Sequence, residues 1–375
     1  MLSVQDYGIL KTISGHIMTE VQKKSNDETE GVAKTKAMST KYLALPLPST
    51  EQEDDELDIQ SQESKKLLKS LPRETRWRGM YLYLYRDFWI ADHLLTRVIS
   101  FQQNFRAKDT DIILATFPKS GTTWLKTLVY SIVNRNIFFL NNTPLNTTNV
   151  HDLVPFFEFN VYLNGQNPDL SDIPTPRVFA THVPYPSLPE SIKSTTCRIV
   201  YLCRNPFDSF ISFWHFYLRS IPKDLEPLSL EGYFDLFCTG ASPYGPFWDH
   251  FLGFWKESLK NPNKVLFLTY EDMKMDYKVQ MKRLAEFLGY PFSENEEKEG
   301  VIEEVSKFCS FESMRELQPN NSGDKILERF DAASFLRKGE VGDWMNYLTP
   351  SMANRLKKVV EEKLGGSGLN LKLFG

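Results

Sequence analysis

The segment Ala115–Lys126, with the sequence ATFPKSGTTWLK, places a lysine, a glycine and two threonines between an apolar run and a helix-like stretch. In the phosphate loop of nucleotide triphosphatases the lysine follows the last glycine, and a serine or threonine then holds magnesium. Here Lys119 precedes Gly121, and the segment has no acidic partner for magnesium. The N–H groups of the helix start and the hydroxyls of Thr122 and Thr123 therefore predict a site that holds phosphate or sulfate by hydrogen bonds alone. The alternative is a strand-to-helix turn with ordinary capping residues.

Two further segments place cations beside a helix start or a glycine. Arg204 ends an apolar run and precedes a helix-like segment in which Ser212 lies two helical turns on. A guanidinium and a hydroxyl so placed predict a second anion site. The triplet Arg337, Lys338 and Gly339 adds two cations where a glycine lets backbone N–H groups approach closely. The alternatives are a helix cap with a surface serine, and a solvated turn.

His182 is the candidate general base. It ends an apolar run just before Val183 and Pro184. An imidazole near the predicted anion loop, with a pKa near neutrality, suits the removal of a proton from a hydroxyl group. A histidine of this kind can instead be a hydrogen-bonded structural residue. His151 and His215 are rivals by residue type, and the position at the end of a strand favours His182.

These segments follow short apolar runs that alternate with helix-like stretches. Buried strands are predicted at residues 111–117, 177–183, 198–204 and 264–270. Helices are predicted at residues 122–135, 206–218, 246–260 and 274–288. The alternation predicts an α/β fold, a single domain with a central parallel sheet flanked by helices. Because ligands of such sheets bind beyond the carboxyl ends of the strands, we expect Lys119, His182 and Arg204 to lie at one edge.

Composition limits the kind of ligand and partner. The chain has 375 residues and a net charge of −4, with a pI near 6.0, so no broad basic surface for nucleic acid is expected. The four cysteines are scattered without metal-ligand spacing, which favours reduced structural thiols. No apolar run approaches the length of a membrane span and no secretory signal is recognised, so a cytoplasmic protein is expected. Residues 1–70 are polar and predict a flexible extension, followed by one domain over residues 71–375.

Six segments, in this order, resemble the plant branch of the cytosolic sulfotransferases: TFPKSGTTWLKTLVYSIVNR, FATHVP, YLCRNPFDSFISFWHF, LTYEDM, CSFESM and FLRKGEVGDW. The resemblance covers the chain from residue 71 onward and is nearest to hydroxyjasmonate sulfotransferases. It implies a P-loop-like loop that binds the co-substrate 3′-phosphoadenosine 5′-phosphosulfate (PAPS) without a metal. It also implies transfer of the sulfuryl group to a hydroxyl of a small apolar metabolite of the hydroxyjasmonate, flavonoid or steroid type.

The same resemblance implies a role for each matching residue. His182 would be the base, and Lys119 the cation that stabilises the leaving phosphate. The 5′ phosphosulfate and adenine side would contact Lys119, Ser120, Gly121, Thr122, Thr123 and Trp124. The 3′ phosphate would contact Arg204, Ser212, Arg337, Lys338 and Gly339. Further adenosine contacts would come from Tyr270, Ser310, Phe311 and Met314, and the acceptor pocket would include Phe156, Phe159 and Phe216.

The chain departs from the family pattern in two places. The family often has a lysine two residues before the catalytic histidine, where this chain has Ala180, so Lys119 would carry more of the catalytic load. The C-terminal dimer motif of the mammalian members is not matched in residues 345–354, which favours a monomer. Two other functions stay open: a nucleotide-binding homologue that has lost catalysis, and a small-molecule kinase, which would need magnesium and an acidic ligand for it.

Overall fold

Four parallel strands form the centre of the fold. The computed structural model describes residues 66–138, 140–163, 167–317 and 335–373. The strands within these ranges are β1 Arg73–Glu74, β2 Leu82–Tyr85, β3 Phe88–Ala91, β4 Ile112–Thr116, β5 Val178–Thr181, β6 Arg198–Cys203 and β7 Val265–Thr269. Strands β1, β2 and β3 form a small antiparallel sheet, and the other four form a parallel sheet in the order β5-β4-β6-β7.

Both faces of the parallel sheet are covered, which explains why its strands are unbroken apolar runs. Ile113 and Ala115 of β4 belong to one hydrophobic cluster, whereas Ile112 and Leu114 belong to a second cluster on the opposite face. The four predicted strands are present with slightly shorter bounds. The prediction of an α/β fold with a central parallel sheet flanked by helices is confirmed.

The helices pack on the two faces of this sheet. Their bounds are α1 Asp92–Asn104, α2 Thr122–Asn134, α3 Val150–Leu153, α4 Glu190–Ser194, α5 Pro206–Ser220, α6 Leu230–Cys238, α7 Phe247–Lys260, α8 Tyr270–Met275, α9 Tyr277–Leu288, α10 Glu294–Lys298, α11 Val301–Phe308, α12 Phe311–Leu317 and α13 Pro350–Leu364. The apolar residues of α1, α5 and α7 join the first cluster, and those of α2, α9 and α11 join the second.

The helices predicted over residues 122–135, 206–218 and 246–260 are present as α2, α5 and α7. The prediction of one helix over residues 274–288 is wrong at its start, because α8 ends at Met275 and α9 begins at Tyr277. Asp276 separates them: its backbone is not helical (φ −137°, ψ 67°), and its side chain accepts a hydrogen bond from Val279 N at 3.3 Å. A capping aspartate therefore starts a new helix there.

The small antiparallel sheet has no counterpart among the predicted strands. Arg86 and Asp87 form the turn between β2 and β3 with positive φ angles of 47° and 66°. Most of the predicted extension, residues 1–65, lies outside the described residues, whereas Leu67 and Leu68 pack against the first hydrophobic cluster. All four cysteines are buried and unpaired. In the described ranges, no helix combines the length and apolar character that a membrane crossing requires.

Candidate active site

A cavity of about 820 Å³ lies at the carboxyl ends of the parallel strands. The residues that follow the strands form part of its wall: Lys119 after β4, His182 after β5, Arg204 after β6 and Tyr270 after β7. Every residue that the sequence predicts for the site lines this cavity, with the exception of Ser120. Ser120 is fully buried, and within the described residues its hydroxyl has no hydrogen-bond partner.

The loop between β4 and α2 leads directly into a helix start, which is a position where anions can bind. Lys119 (φ 66°) and Gly121 (φ 101°) are left-handed, and α2 begins directly after Gly121. A Cβ atom at Gly121 would lie 2.9 Å from Cδ2 of Tyr270, so both the conformation and the space require glycine. Thr122 and Thr123 in the first turn of α2 line the cavity, and the free N–H groups of such a turn bind anions.

The amine of Lys119 lies among aromatic rings. Its Nζ is 4.3 Å from the ring centroid of Phe216 and 5.7 Å from that of Phe335. Removal from water is the main cause that lowers the pKa of Lys119 to about 7, and nearby arginines, Arg204 first among them, contribute to the same shift. An anion in the cavity would offset both effects and favour the charged ammonium.

Arg204 connects the end of β6 to the C-terminal triplet. Its Nη2 donates to the carbonyl oxygen of Glu340 at 2.6 Å, and its guanidinium lies 4.4 Å from the ring centroid of Tyr270. The Tyr270 hydroxyl donates to the carbonyl oxygen of Gly339 at 2.8 Å. In the described part of the chain, the Nε atoms of Arg204 and Arg337 are buried without a hydrogen-bond partner. Because an unpaired buried donor is costly, these two atoms indicate a ligand that accepts from them.

Two carboxylates that the sequence pattern did not single out contact the triplet and the turn that follows it. Asp343 lies 2.6 Å from Nη1 of Arg337 and 2.6 Å from Nζ of Lys338. Asp208 in α5 accepts a hydrogen bond from the backbone N–H of Gly342 at 2.8 Å. In the sequence these aspartates are visible only as acidic residues within longer motifs, and their pairing follows from the fold.

The remaining predicted nucleotide contacts share the cavity. Trp124 packs edge-on against Tyr270, with ring centroids 5.1 Å apart. Ser310, just before α12, and Phe311 and Met314, within it, also line the wall. Aromatic and thioether groups of this kind suit the apolar faces of a nucleoside.

His182 has a defined tautomer. Its Nδ1 lies 2.7 Å from the carbonyl oxygen of Thr116, which can only accept, so Nδ1 carries the proton and Nε2 is the basic atom. The backbone N–H of His182 donates to Oε1 of Glu158 at 2.6 Å, and Nε2 of His250 donates to the carbonyl oxygen of His182 at 2.8 Å. The expectation of a pKa near neutrality is wrong for the empty cavity, because burial lowers the pKa of His182 to about 3, so the imidazole is neutral near physiological pH.

The two rival histidines are less suited to act as the base. His151 lines the cavity, but both of its nitrogens have partners: Nε2 lies 3.3 Å from Oγ1 of Thr123, and Nδ1 lies 3.1 Å from Nζ of Lys126. His215 is not part of the cavity wall in the described residues, and its ring lies 5.0 Å from that of Tyr347. The role of His182 as the base stays a prediction.

The aromatic residues predicted for the acceptor pocket lie in two places. The rings of Phe156 and Phe159 are 4.9 Å and 6.2 Å from that of His182. Phe216 instead lies against Lys119. Tyr244 also lines the cavity, with its ring 5.4 Å from that of His182, and no sequence motif pointed to it.

Comparison with known proteins identifies the family of the chain. The family model described as the sulfotransferase domain matches residues 109–368. The chain belongs to the sulfotransferase family. Cytosolic sulfotransferase 15 of Arabidopsis thaliana is 49% identical over 326 residues, which cover 86% of this chain and 90% of that protein. Cytosolic sulfotransferase 14 of the same plant is 46% identical over 328 residues, covering 86% and 93% of the two chains.

Solved structures agree with this assignment. The crystal structure of an Arabidopsis thaliana putative steroid sulphotransferase is 40% identical with a TM-score of 0.68, covering 88% of this chain and 100% of that one. A mouse sulfotransferase complexed with PAP is 28% identical with a TM-score of 0.60, covering 76% and 96%. The predictions of a plant cytosolic sulfotransferase family and of a sulfotransferase enzyme are confirmed.

The described residues of this sulfotransferase contain no group of three or more His, Cys, Asp or Glu side chains arranged to hold a metal ion. They do contain two buried ionisable residues beside the cavity that the sequence did not mark, Lys126 and Glu158. Lys126 could have been noticed as a lone cation in the otherwise apolar α2, but such a residue is normally on a solvent-facing side.

Proposed function

We propose that this sulfotransferase moves the sulfuryl group of PAPS to a hydroxyl of a small apolar metabolite, with His182 as general base. One observation carries the proposal: the cations Lys119, Arg204 and Arg337 and the neutral imidazole of His182 line the same cavity. A multiply charged nucleotide and an uncharged hydroxyl compound can occupy such a cavity together.

The cationic groups fit the two ends of the co-substrate. The first turn of α2, with Lys119, would hold the 5′ phosphosulfate. Arg204, Ser212 and the triplet at Arg337 would hold the 3′ phosphate, which would give the unpaired Nε atoms of both arginines an acceptor. The mouse relative crystallised with PAP supports the same nucleotide class for this chain. Hydrogen bonds and fixed charges would be sufficient, so binding should not depend on magnesium.

The proposed reaction is an in-line displacement at sulfur. Nε2 of His182 takes the proton of the acceptor hydroxyl while the hydroxyl oxygen forms a bond to sulfur. The bond between sulfur and the bridging phosphate oxygen breaks, and its electron pair stays on the phosphate of the departing 3′-phosphoadenosine 5′-phosphate (PAP). The ammonium of Lys119 stabilises that growing negative charge, so positioning and preorganised charge supply most of the catalysis.

The acceptor side of the cavity is aromatic. Phe156 and Phe159 pack beside His182, and Phe216 lies against Lys119. Such a surface favours a flat or alicyclic apolar compound of the hydroxyjasmonate, flavonoid or steroid type, and orients its hydroxyl toward the base. By analogy with relatives named cytosolic sulfotransferases, we place the enzyme in the cytoplasm, and the departure at residues 345–354 favours a monomer.

Calorimetric titration with PAP, with and without magnesium, followed by turnover of PAPS with a panel of hydroxyl compounds including 2-naphthol, tests the proposal. We expect tight binding that magnesium does not change, and sulfation of at least one compound. Magnesium-dependent binding would favour a kinase instead. Tight binding with intact PAPS recovered from every acceptor would indicate a homologue that has lost catalysis.

A further inference from the structure

Lys126 is a fully buried lysine beside the candidate active site. It lies in the first half of α2, its exposed fraction is 0%, and it is not part of the cavity wall. Its Nζ lies 3.1 Å from Nδ1 of His151 and 3.4 Å above the ring centroid of Phe156. Burying an amine in this way is costly unless it has a specific partner, so the contact with His151 needs an explanation.

The contact places Lys126 at one end of a chain of hydrogen bonds that reaches the cavity. On the other side of the same imidazole, Nε2 of His151 lies 3.3 Å from Oγ1 of Thr123. Thr123 is in the first turn of α2 and lines the cavity where the phosphosulfate would bind. The chain therefore runs from Lys126 through His151 to Thr123.

The charge of Lys126 sets the direction of these hydrogen bonds. An ammonium can only donate, so Nδ1 of His151 must accept from it and Nε2 must carry the proton. Nε2 then donates to Oγ1 of Thr123, and the single hydroxyl hydrogen of Thr123 is free to point at a ligand. A neutral amine could accept instead, which would reverse the chain and turn the Thr123 hydrogen toward His151.

Several features favour the ammonium form when the donor is bound. The amine lies over the face of Phe156, where a cation is attracted to the ring. Burial lowers the pKa of Lys126 well below its usual value, but the carboxylates of Glu158 and Asp152 oppose that effect. Anionic phosphosulfate in the cavity would oppose it further. His151 is neutral, because burial and Lys126 hold its pKa well below the usual range. A neutral imidazole is needed for Nδ1 to accept the hydrogen bond from Lys126.

We propose that Lys126 and His151 are positioning residues that make the hydroxyl of Thr123 donate to the phosphosulfate group of the bound donor. The proposal rests on the proposed sulfuryl transfer. Negative charge grows on the departing phosphate as the sulfur–oxygen bond breaks, so a hydroxyl aimed at that oxygen strengthens its hydrogen bond in the transition state. Without the ammonium, the imidazole is free to accept from Thr123 and to withdraw that hydrogen from the donor.

A double-mutant cycle on kcat, with PAPS as donor and 2-naphthol as acceptor, tests whether Lys126 acts through the hydroxyl of Thr123. Lys126→Met keeps the length of the side chain and removes its charge, and Thr123→Val removes the hydroxyl while keeping the shape. We expect K126M to lower kcat by about 10- to 100-fold in the wild-type background, the size of effect expected when one hydrogen bond to a charged group is lost from the transition state. In the Thr123→Val background K126M should change kcat by less than about 2-fold.

Two further backgrounds isolate the hydroxyl of Thr123. Thr123→Ser keeps a hydroxyl at that position, so K126M should retain most of its effect there. Thr127→Val removes a buried hydroxyl one helical turn on, which donates to the carbonyl oxygen of Thr123 at 2.9 Å. K126M should retain its full effect on kcat in that background as well, because Thr127 is not part of the hydrogen-bond chain from Lys126 through His151 to Thr123.

An equal loss of kcat in the wild-type and Thr123→Val backgrounds would overturn the proposal and assign Lys126 a packing role. An unchanged kcat for K126M would overturn it too. If K126M fails to fold, as judged by near-UV circular dichroism, Lys126→Leu takes its place, because it also removes the ammonium while an apolar side chain fills the buried space beside Phe156. A wild-type enzyme that binds PAP but sulfates neither 2-naphthol nor any compound of the panel would refute the proposed function itself, and this inference with it.

Discussion

Burial disfavours the charged forms of both His182 and Lys119 in the empty cavity, with opposite consequences for function. Removal from water lowers the pKa of His182 to about 3 and that of Lys119 to about 7. A neutral imidazole is the form that a general base needs. A neutral amine is not the form that stabilises a departing phosphate, so Lys119 needs the bound anion to become effective.

The separation of roles between His182 and Arg204 can be tested by alanine substitution. His182→Ala should lower kcat by at least about 100-fold, the usual contribution of a general base, and leave the affinity for PAP nearly unchanged. Arg204→Ala should weaken PAP binding by about 2 to 5 kcal/mol, because it removes a desolvated charge partner. Turnover assays and calorimetry measure the two effects. His215→Ala, at a histidine outside the cavity wall, is the matched control. Equal loss of PAP affinity in both alanine variants would contradict the division.

The pKa of Lys119 predicts proton uptake on binding. Near pH 8 most of the amine is neutral in the empty cavity, since its pKa is about 7. PAP brings several negative charges and raises that pKa, so close to one proton should be taken up at this position. Calorimetric titrations near pH 8 in buffers of different ionisation enthalpy measure the uptake. Lys119→Arg stays charged at all times and should reduce it. The same uptake in both proteins would show that another group is responsible.

Sequence reasoning found the residues that line the cavity better than the residues that support them. Lys119, His182 and Arg204 were found because each follows an apolar run that predicts a strand. Asp343 and Lys126 were missed because their partners are brought to them by tertiary packing. No local pattern distinguishes a buried aspartate or lysine from a solvated one.

At the scale of elements, the parallel sheet places four chain segments at one edge. The apolar runs predicted the strands and the edge of the sheet at which the cavity lies, but not the order β5-β4-β6-β7. Strand order depends on pairings between residues far apart in the sequence, and periodicity carries no information about them. The helix boundary at Asp276 was not predicted, because a capping residue within a helical pattern cannot be distinguished from any other polar residue of the helix.

The backbone at position 339 requires a glycine. Gly339 has φ 69°, and a Cβ atom there would lie 2.6 Å from Cδ2 of Phe311, a predicted nucleotide contact. Gly339→Ala should displace the ring and weaken PAP binding by about 10-fold, equivalent to about 1.4 kcal/mol. Gly366→Ala is the matched control, because Gly366 has a similar φ of 74° but nothing within 4 Å of a Cβ. Both variants bear the same backbone strain, so only a larger affinity loss for G339A, measured by calorimetry, supports this reasoning.

At the scale of the whole molecule, we expect the cations of the cavity to lower the free energy of unfolding of the ligand-free protein. The chain has a net charge of −4, yet its cavity collects several cations that repel one another when no anion is bound. Asp343 compensates the charges of Arg337 and Lys338, and burial beside aromatic rings disfavours the charged form of Lys119. Substitutions that remove such strain often stabilise a protein while abolishing its activity.

Lys119→Met should therefore raise the melting temperature of the ligand-free protein while it weakens PAP binding and abolishes turnover. The folded-state pKa of Lys119, about 7, lies below its ordinary 10.5, so the unfolded chain binds more protons between these values and stability rises with pH there. The cost of burying Lys119 is complete below about pH 7 and disappears above about pH 10.5. K119M should therefore gain about 2 to 5 °C in melting temperature near pH 7 and progressively less as the pH approaches 10.

Lys338→Met, at a lysine whose pKa Asp343 raises, is the control and should not stabilise the protein. Calorimetric melting of the three proteins at both pH values measures this, and a K119M protein that melts below the wild type near pH 7 would show that the amine stabilises the empty cavity.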